Sequence, residues 1–153
     1  MTRLAIMVLL FAMPGGQGKE EPKPPAAPPP RFAVVVHTDN KLTETGDAAK
    51  TLLKKLFLKE LTRWPDGGEA KAYARTPDAE CQIAFRKVVL EMSEAELARH
   101  WLKQKSMNGS TPPKEVEADR LVLKYVAKNA NAFGIVTLES AKPATGIKVV
   151  FEF

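Results

Sequence analysis

The chain has 153 residues, 44% of them hydrophobic and 27% charged, with one cysteine and 23 Lys and Arg against 18 Asp and Glu. This composition supports one ordinary core and excludes a disordered, collagen-like or coiled-coil chain as well as a disulfide scaffold. The net charge of +5 suits anionic partners in general and is too small to mark a nucleic-acid binder.

Residues 1–30 hold 7 of the 12 prolines and, past residue 13, nothing large and apolar, so the folding unit is roughly 123 residues, one domain. Met1-Thr2-Arg3 supplies a positive charge, residues 4–13 are an unbroken apolar run, and Pro14-Gly15-Gly16-Gln17-Gly18 ends it with Gly16 and Gly18 at cleavage spacing. This predicts a secretory signal peptide over 1–18. The run is about half of the roughly 20 residues that a membrane-crossing helix needs, so no stable insertion is expected after cleavage. The expected location is periplasmic or secreted. Residues 19–31, rich in proline and charge, predict a polyproline-type linker, either a stalk or a leader left by cleavage. The folded domain is then 32–153.

Phe32-Ala33-Val34-Val35-Val36 has no polar alternation, which predicts a strand buried on both faces. Polar His37-Thr38-Asp39-Asn40 ends it. Beyond Gly46, Leu53, Leu56, Phe57, Leu61 and Trp64 share one helical face, with Lys50, Lys54, Lys55, Lys59 and Arg63 around the rest. The spacing predicts a helix over 48–64, stopped by Pro65. Asp66-Gly67-Gly68 is turn chemistry and residues 70–74 form a short strand. In Thr76-Pro77-Asp78-Ala79-Glu80 a threonine precedes a proline and two acids, which predicts a helix capped by Thr76. Cys81, Ala84, Phe85, Val88, Val89 and Met92 make its apolar stripe. Ser93 and Glu96 form a capping box opening a further helix, with Leu97, Ala98, Trp101 and Leu102 on its buried side. Residues 108–113 are a loop. A helix over 119–128, a strand over 133–138 and a last strand over 147–153 complete the order, which predicts an α/β sandwich with helices flanking a mixed sheet.

Four segments then resemble a known family in the correct order. Val34-Val35-Val36 with its polar turn, followed by Leu56-Phe57-Leu58-Lys59 and Trp64-Pro65-Asp66-Gly67, is similar to a hydrophobic strand and a helix reading L-x-x-I-F-L-G-K-x-x-x-W-x-D-G. The stretch from Phe85 through Met92-Ser93 to Trp101, and the stretch from Val126 through Asn131 to Gly134-Ile135-Val136, resemble two later segments of the same family. The family is that of short phosphate-binding-protein-like exported domains, related to the phosphate-binding subunit of bacterial phosphate ABC transporters. The resemblance covers about residues 32–150. It implies a single lobe of a class II periplasmic-binding-protein-like fold, where full-length relatives have two lobes that close on phosphate.

In those relatives, the resemblance further implies, an Arg at the end of the strand before the helix grips phosphate, and the following turn completes the cradle. Arg75 and Thr76 stand there. An Arg fork beside a helix N-terminus suits an oxyanion. The turn in this chain carries Pro77, Ala79, Asp78 and Glu80, which remove donors and add negative charge, so the competing reading of Arg75 is a local salt-bridge partner. His37 and Thr38 lie at the carboxyl end of a strand, the edge where open α/β sheets bind ligands; the competing reading is a solvated turn. The two histidines lack ligand spacing for a metal, no cofactor motif is present, and Cys81, on an apolar stripe, reads as an inert small hydrophobe. Trp64 and Trp101 read as core residues.

Three function classes follow. The first is a non-catalytic solute-binding-protein-like domain taking phosphate or a similar small oxyanion. The second is a protein-interaction module, without a ligand of its own, in an envelope or transport assembly. An enzyme is third, because nothing pairs a nucleophile with a base or two carboxylates at interpretable spacing.

Overall fold

The computed structural model describes residues 31–153 and Pro29; the expected signal peptide, and the expected linker apart from Pro29 and Arg31, lie outside the described residues. Five strands, β1 (Phe32–His37), β2 (Lys71–Arg75), β3 (Lys114–Val116), β4 (Ala132–Thr137) and β5 (Ile147–Glu152), form one sheet in the order β3-β2-β4-β1-β5. β2 is parallel to β3 and β4, while β1 is antiparallel to β4 and β5. β1, fourth in the order and flanked on both sides, therefore runs against its four companions.

Alternation along the strands divides the core into two layers. Val34, Val36, Phe133 and Ile135 face helix α1 (Gly46–Phe57) and helix α2 (Glu80–Phe85) with its continuation, where Leu53, Phe57, Phe85 and Leu90 complete one buried cluster. Ala33, Val35, Ala132 and Val136 face helix α4 (Asp119–Lys128) and the short α5 (Leu138–Ala141), with Val122, Val126 and Ala141. The expected α/β fold with helices on both faces of a mixed sheet is the fold found. α4 lies close to the sheet because Gly134 of β4 leaves the space that the Val122 methyl group enters.

Helix α1 ends earlier than its periodicity predicts. It stops at Phe57, and Lys59 takes a left-handed backbone with φ 56°. The Glu60 N–H donates to Lys55 O and the Lys59 N–H to Leu56 O, the bond pair of a Schellman ending, in which glycine is usual. Lys59 occupies the position where the family pattern has its glycine. Lys59→Gly is expected to raise stability by about 0.5–1 kcal/mol, relief of the side-chain clash outweighing the added freedom of the unfolded chain. Urea denaturation measures it, and a fall in the midpoint would show that the lysine is not strained.

Trp64 consequently sits outside the helix, in a hairpin-like turn closed by the Arg63–Glu69 bridge and a Trp64 N–H bond to Gly68 O at 2.8 Å. Its ring is still core: it meets Phe133 edge-on at 5.5 Å, and its Nε1 donates to Asn131 O at 2.8 Å. The apolar spacing was real, but the turn at Asp66-Gly67, not a helix, delivers the side chain.

Two further expectations are corrected. Thr76 does not cap α2; it opens a turn around Pro77, closed by the Ala79 N–H on Thr76 O, and Ala79 precedes the helix without a side-chain cap. A proline with its fixed φ suits such a turn as well as it suits a first helical position. After Phe85 the helix widens into a π-helical segment, Arg86–Leu90. The wider turn moves the buried face forward, so Val89 and Leu90 are buried and Val88 is 42% exposed.

That segment ends at Glu91, φ 54°, which α1 clasps through Lys50 at 2.8 Å and Lys54 at 3.6 Å. The hydrogen bond and charge of Lys50, then the charge of Lys54, hold the Glu91 carboxyl below its ordinary value of 4.5. A depressed folded-state value means that the clasp contributes above about pH 4.5 and is lost as pH falls through the lower folded value. The stabilities of Glu91→Gln and the natural chain are thus expected to differ at neutral pH and converge in acid, read by urea denaturation at several pH values. A gap that stays constant with pH would exclude the charged clasp.

Helix α3 (Glu94–Asn108) opens with the expected capping box: Ser93 Oγ accepts from the Glu96 N–H, and Glu96 accepts from the Ser93 N–H. Its expected buried side is not buried. Leu97 and Trp101 are half-buried, Ala98 is exposed and Leu102 is 67% exposed.

Candidate functional site

The carboxyl ends of parallel β2 and β4 meet at one edge of the sheet, where the open ends of such strands leave a crevice. β2 delivers Arg75 there and β4 delivers Thr137, while the chain after β3 turns straight into α4 and places Asp119 at its first turn. A cavity of about 520 Å³ opens at this edge and is also lined by Cys81 of α2 and by Arg31, just before β1.

All three nitrogens of the Arg75 guanidinium have partners. Its Nη1 pairs with Asp119 Oδ1, its Nε donates to Val116 O at 3.0 Å and its Nη2 donates to Glu117 O at 2.9 Å. The other oxygen of Asp119 accepts from the Thr137 N–H at 3.0 Å and from the Thr137 hydroxyl at 2.7 Å. Both side chains are largely buried, 10% and 16% exposed. Buried charges need this kind of partnership, since each unpaired ion would cost several kcal/mol. The result is a chain of bonds from β2 through β3 and α4 to β4, in which the Asp119 carboxylate takes donors from both Arg75 and Thr137.

The rest of the rim does not restore an anion site. Ala79, at the start of α2, has no hydroxyl, and Glu80 is reached by Arg31 at 3.6 Å with both side chains exposed. Around the cavity Arg31, Arg75 and Lys142 face Asp119, Glu80 and Glu139, three cations against three carboxylates, so no net field draws an anion in. Cys81 is buried, with its sulfur 3.7 Å from Arg75 Nη1, and has no base beside it.

Arg75 and Thr76 are neighbours at this edge, but His37 and Thr38 are elsewhere. Because β1 is antiparallel, its carboxyl end lies at the opposite edge of the sheet, about 17 Å away along a strand of that length. There the His37 Nδ1 accepts from the Asp39 N–H at 3.0 Å and the Thr38 N–H donates to Gly146 O at 3.2 Å. The four residues do not converge on one small ligand. Asp119 and Thr137 went unnoticed in the sequence: an acid at the start of a helix and a threonine at the end of a strand are both ordinary, and 44 residues separate Asp119 from Arg75. Among the described residues no group of three or more His, Cys, Asp or Glu could hold a metal ion, and no helix is long and apolar enough to cross a membrane.

No protein-family model matches the chain, nor does any curated protein. Solved structures do. An ABC-type phosphate transport receptor from Vibrio cholerae is similar at TM-score 0.59 and 16% identity, over 79% of this chain and 45% of its own length. PstS from Borrelia burgdorferi is similar at TM-score 0.59 and 12% identity, over 79% and 46%. A phosphate-bound structure from Clostridium perfringens is similar at TM-score 0.59 and 15% identity, over 79% and 44%. The chain thus has a periplasmic-binding-protein-like fold and spans less than half the length of these structures.

Proposed function

We propose that this domain is a non-catalytic, solute-binding-protein-like lobe that acts by engaging another protein rather than by enclosing an anion. The observation that carries this reading is the Arg75–Asp119 pair, in which the chain's own carboxylate engages the guanidinium that the resemblance assigns to an oxyanion. The apolar run at 4–13 supports export of the chain, and an envelope or transport assembly is then the partner's setting.

The expected result is that millimolar phosphate, sulfate or molybdate leaves the thermal unfolding midpoint unchanged, since a ligand shifts stability only by binding the folded state. A rise of several degrees with any of them, abolished in Arg75→Ala, would overturn the reading. It would establish the second one, a small-oxyanion binder. One feature favours that alternative: an ion that displaced Asp119 would leave the cavity at the β2 and β4 ends with three cations, Arg31, Arg75 and Lys142, against two carboxylates, Glu80 and Glu139.

A further inference from the structure

Among the described residues, α3 is the longest helix and has no buried residue. It is nonetheless fixed in place: the capping box holds its start, and midway along it His100 Nε2 lies 2.9 Å from Leu58 O at the end of α1. Between this strut and the body runs a second cavity of about 550 Å³, with Arg75 at one end. Its walls are apolar: Ile83 of α2, Leu97 and Trp101 of α3, and Pro113 before β3. Half-buried Leu97 and Trp101 hang over it with surface that no part of the described chain covers.

Carboxylates outnumber the free cations around this groove. Asp78, Glu94 and Glu115 stand at its mouth, all exposed, and none forms an ion pair or side-chain hydrogen bond among the described residues. Of the two arginines that line it, Arg75 is neutralised by Asp119, while Arg86 donates through Nη1 to Met92 O at 3.0 Å and keeps its charge, leaving three carboxylates against one cation. A largely apolar floor with an excess of unpaired carboxylates around it, on a chain whose overall charge is +5, complements a segment that is apolar and cationic and disfavours an acidic one.

We propose that the groove under α3 is the docking site for a short amphipathic, Lys- or Arg-bearing helix of a partner protein, its apolar face on Trp101, Leu97 and Ile83 and its cations on Asp78, Glu94 and Glu115. A helix laid into a preformed apolar groove needs anchors of this kind and little rearrangement of the host. The proposal rests on the protein-interaction reading above and gives that reading a surface and a partner chemistry.

The probes are two synthetic helical peptides with the same leucine face, one with lysines on its polar face and the other with glutamates, titrated into the chain by calorimetry. The lysine peptide is expected to bind roughly tenfold or more tightly than the glutamate peptide, to weaken with salt, and to be lost in Trp101→Ala. In Asp78→Lys with Glu115→Lys, both exposed positions, the preference is expected to reverse. Equal binding of the two peptides, binding of neither, or a preference untouched by these substitutions would overturn the groove. Lysine-peptide binding that ignores them leaves the interaction reading standing, whereas failure of both peptides together with tight phosphate binding removes that reading as well.

Discussion

Asp119→Ala is expected to lower the folding free energy by about 3–5 kcal/mol, because it leaves the largely buried Arg75 charge without its carboxylate. Domains of this size are stable by about 5–15 kcal/mol, so the variant sits near the edge of folding. Arg75→Ala is expected to cost clearly less. Asp119 would keep the Thr137 N–H and hydroxyl and its place in the first turn of α4, where a helix N-terminus favours negative charge. Urea denaturation of both variants, with the double substitution to give the coupling, measures the asymmetry. A loss below about 1 kcal/mol for Asp119→Ala would mean that the pair is exposed and exchangeable and that the cavity beside it is open to ligands.

Gly134→Ala is the second large effect expected. The added methyl group would collide with the Val122 side chain, itself fully buried between α4 and the sheet, and overpacking of this kind costs about 1–3 kcal/mol. The collision has one partner that can be trimmed. In a Val122→Ala background the glycine substitution is therefore expected to be far less harmful, so that the two changes together cost less than their sum. Additive losses in the same urea titration would place the strain in the β4 backbone instead of the α4 contact.

The strands and the amphipathic helices were readable because burial imposes a period on the sequence. Residues 32–36 are apolar throughout because both faces of β1 are covered, and α4 shows its stripe because one side packs on the sheet. Where backbone chemistry rather than burial decides, the periodicity misled. The α1 stripe runs on to Trp64, yet the helix ends at a left-handed lysine; Thr76-Pro77 fits a helix start, yet it makes a turn; β3 is three residues on an edge, too short to show a pattern. For α3, apolar residues at helical spacing indicated a helix but not whether anything in this chain would cover it.

Less of the candidate site was readable, for a different reason. Arg75 stood out, and its competing salt-bridge reading pointed in the right direction, but the adjacent acids Asp78 and Glu80 were the natural suspects. The partner is Asp119, brought across by the parallel pairing of β2 with β3 and the immediate turn into α4. His37 and Thr38 illustrate the reverse problem: the rule that ligands gather at strand carboxyl ends holds for parallel neighbours, and β1 is the one strand that runs the other way. Strand direction is a property of the finished sheet and leaves no mark on five residues.

That reversed interior strand also bears on how the chain acquires its shape. β1 is the first strand to be synthesised, but its two neighbours are the fourth and the fifth, so Val34 waits for Ile135 on one side and Phe151 on the other. Pairing across such separations is slow to nucleate, because the intervening loop must close before any contact rewards it. β1 cannot be paired on both sides until β5 has emerged from the ribosome, so the longest-range contacts of the sheet are also the last to form.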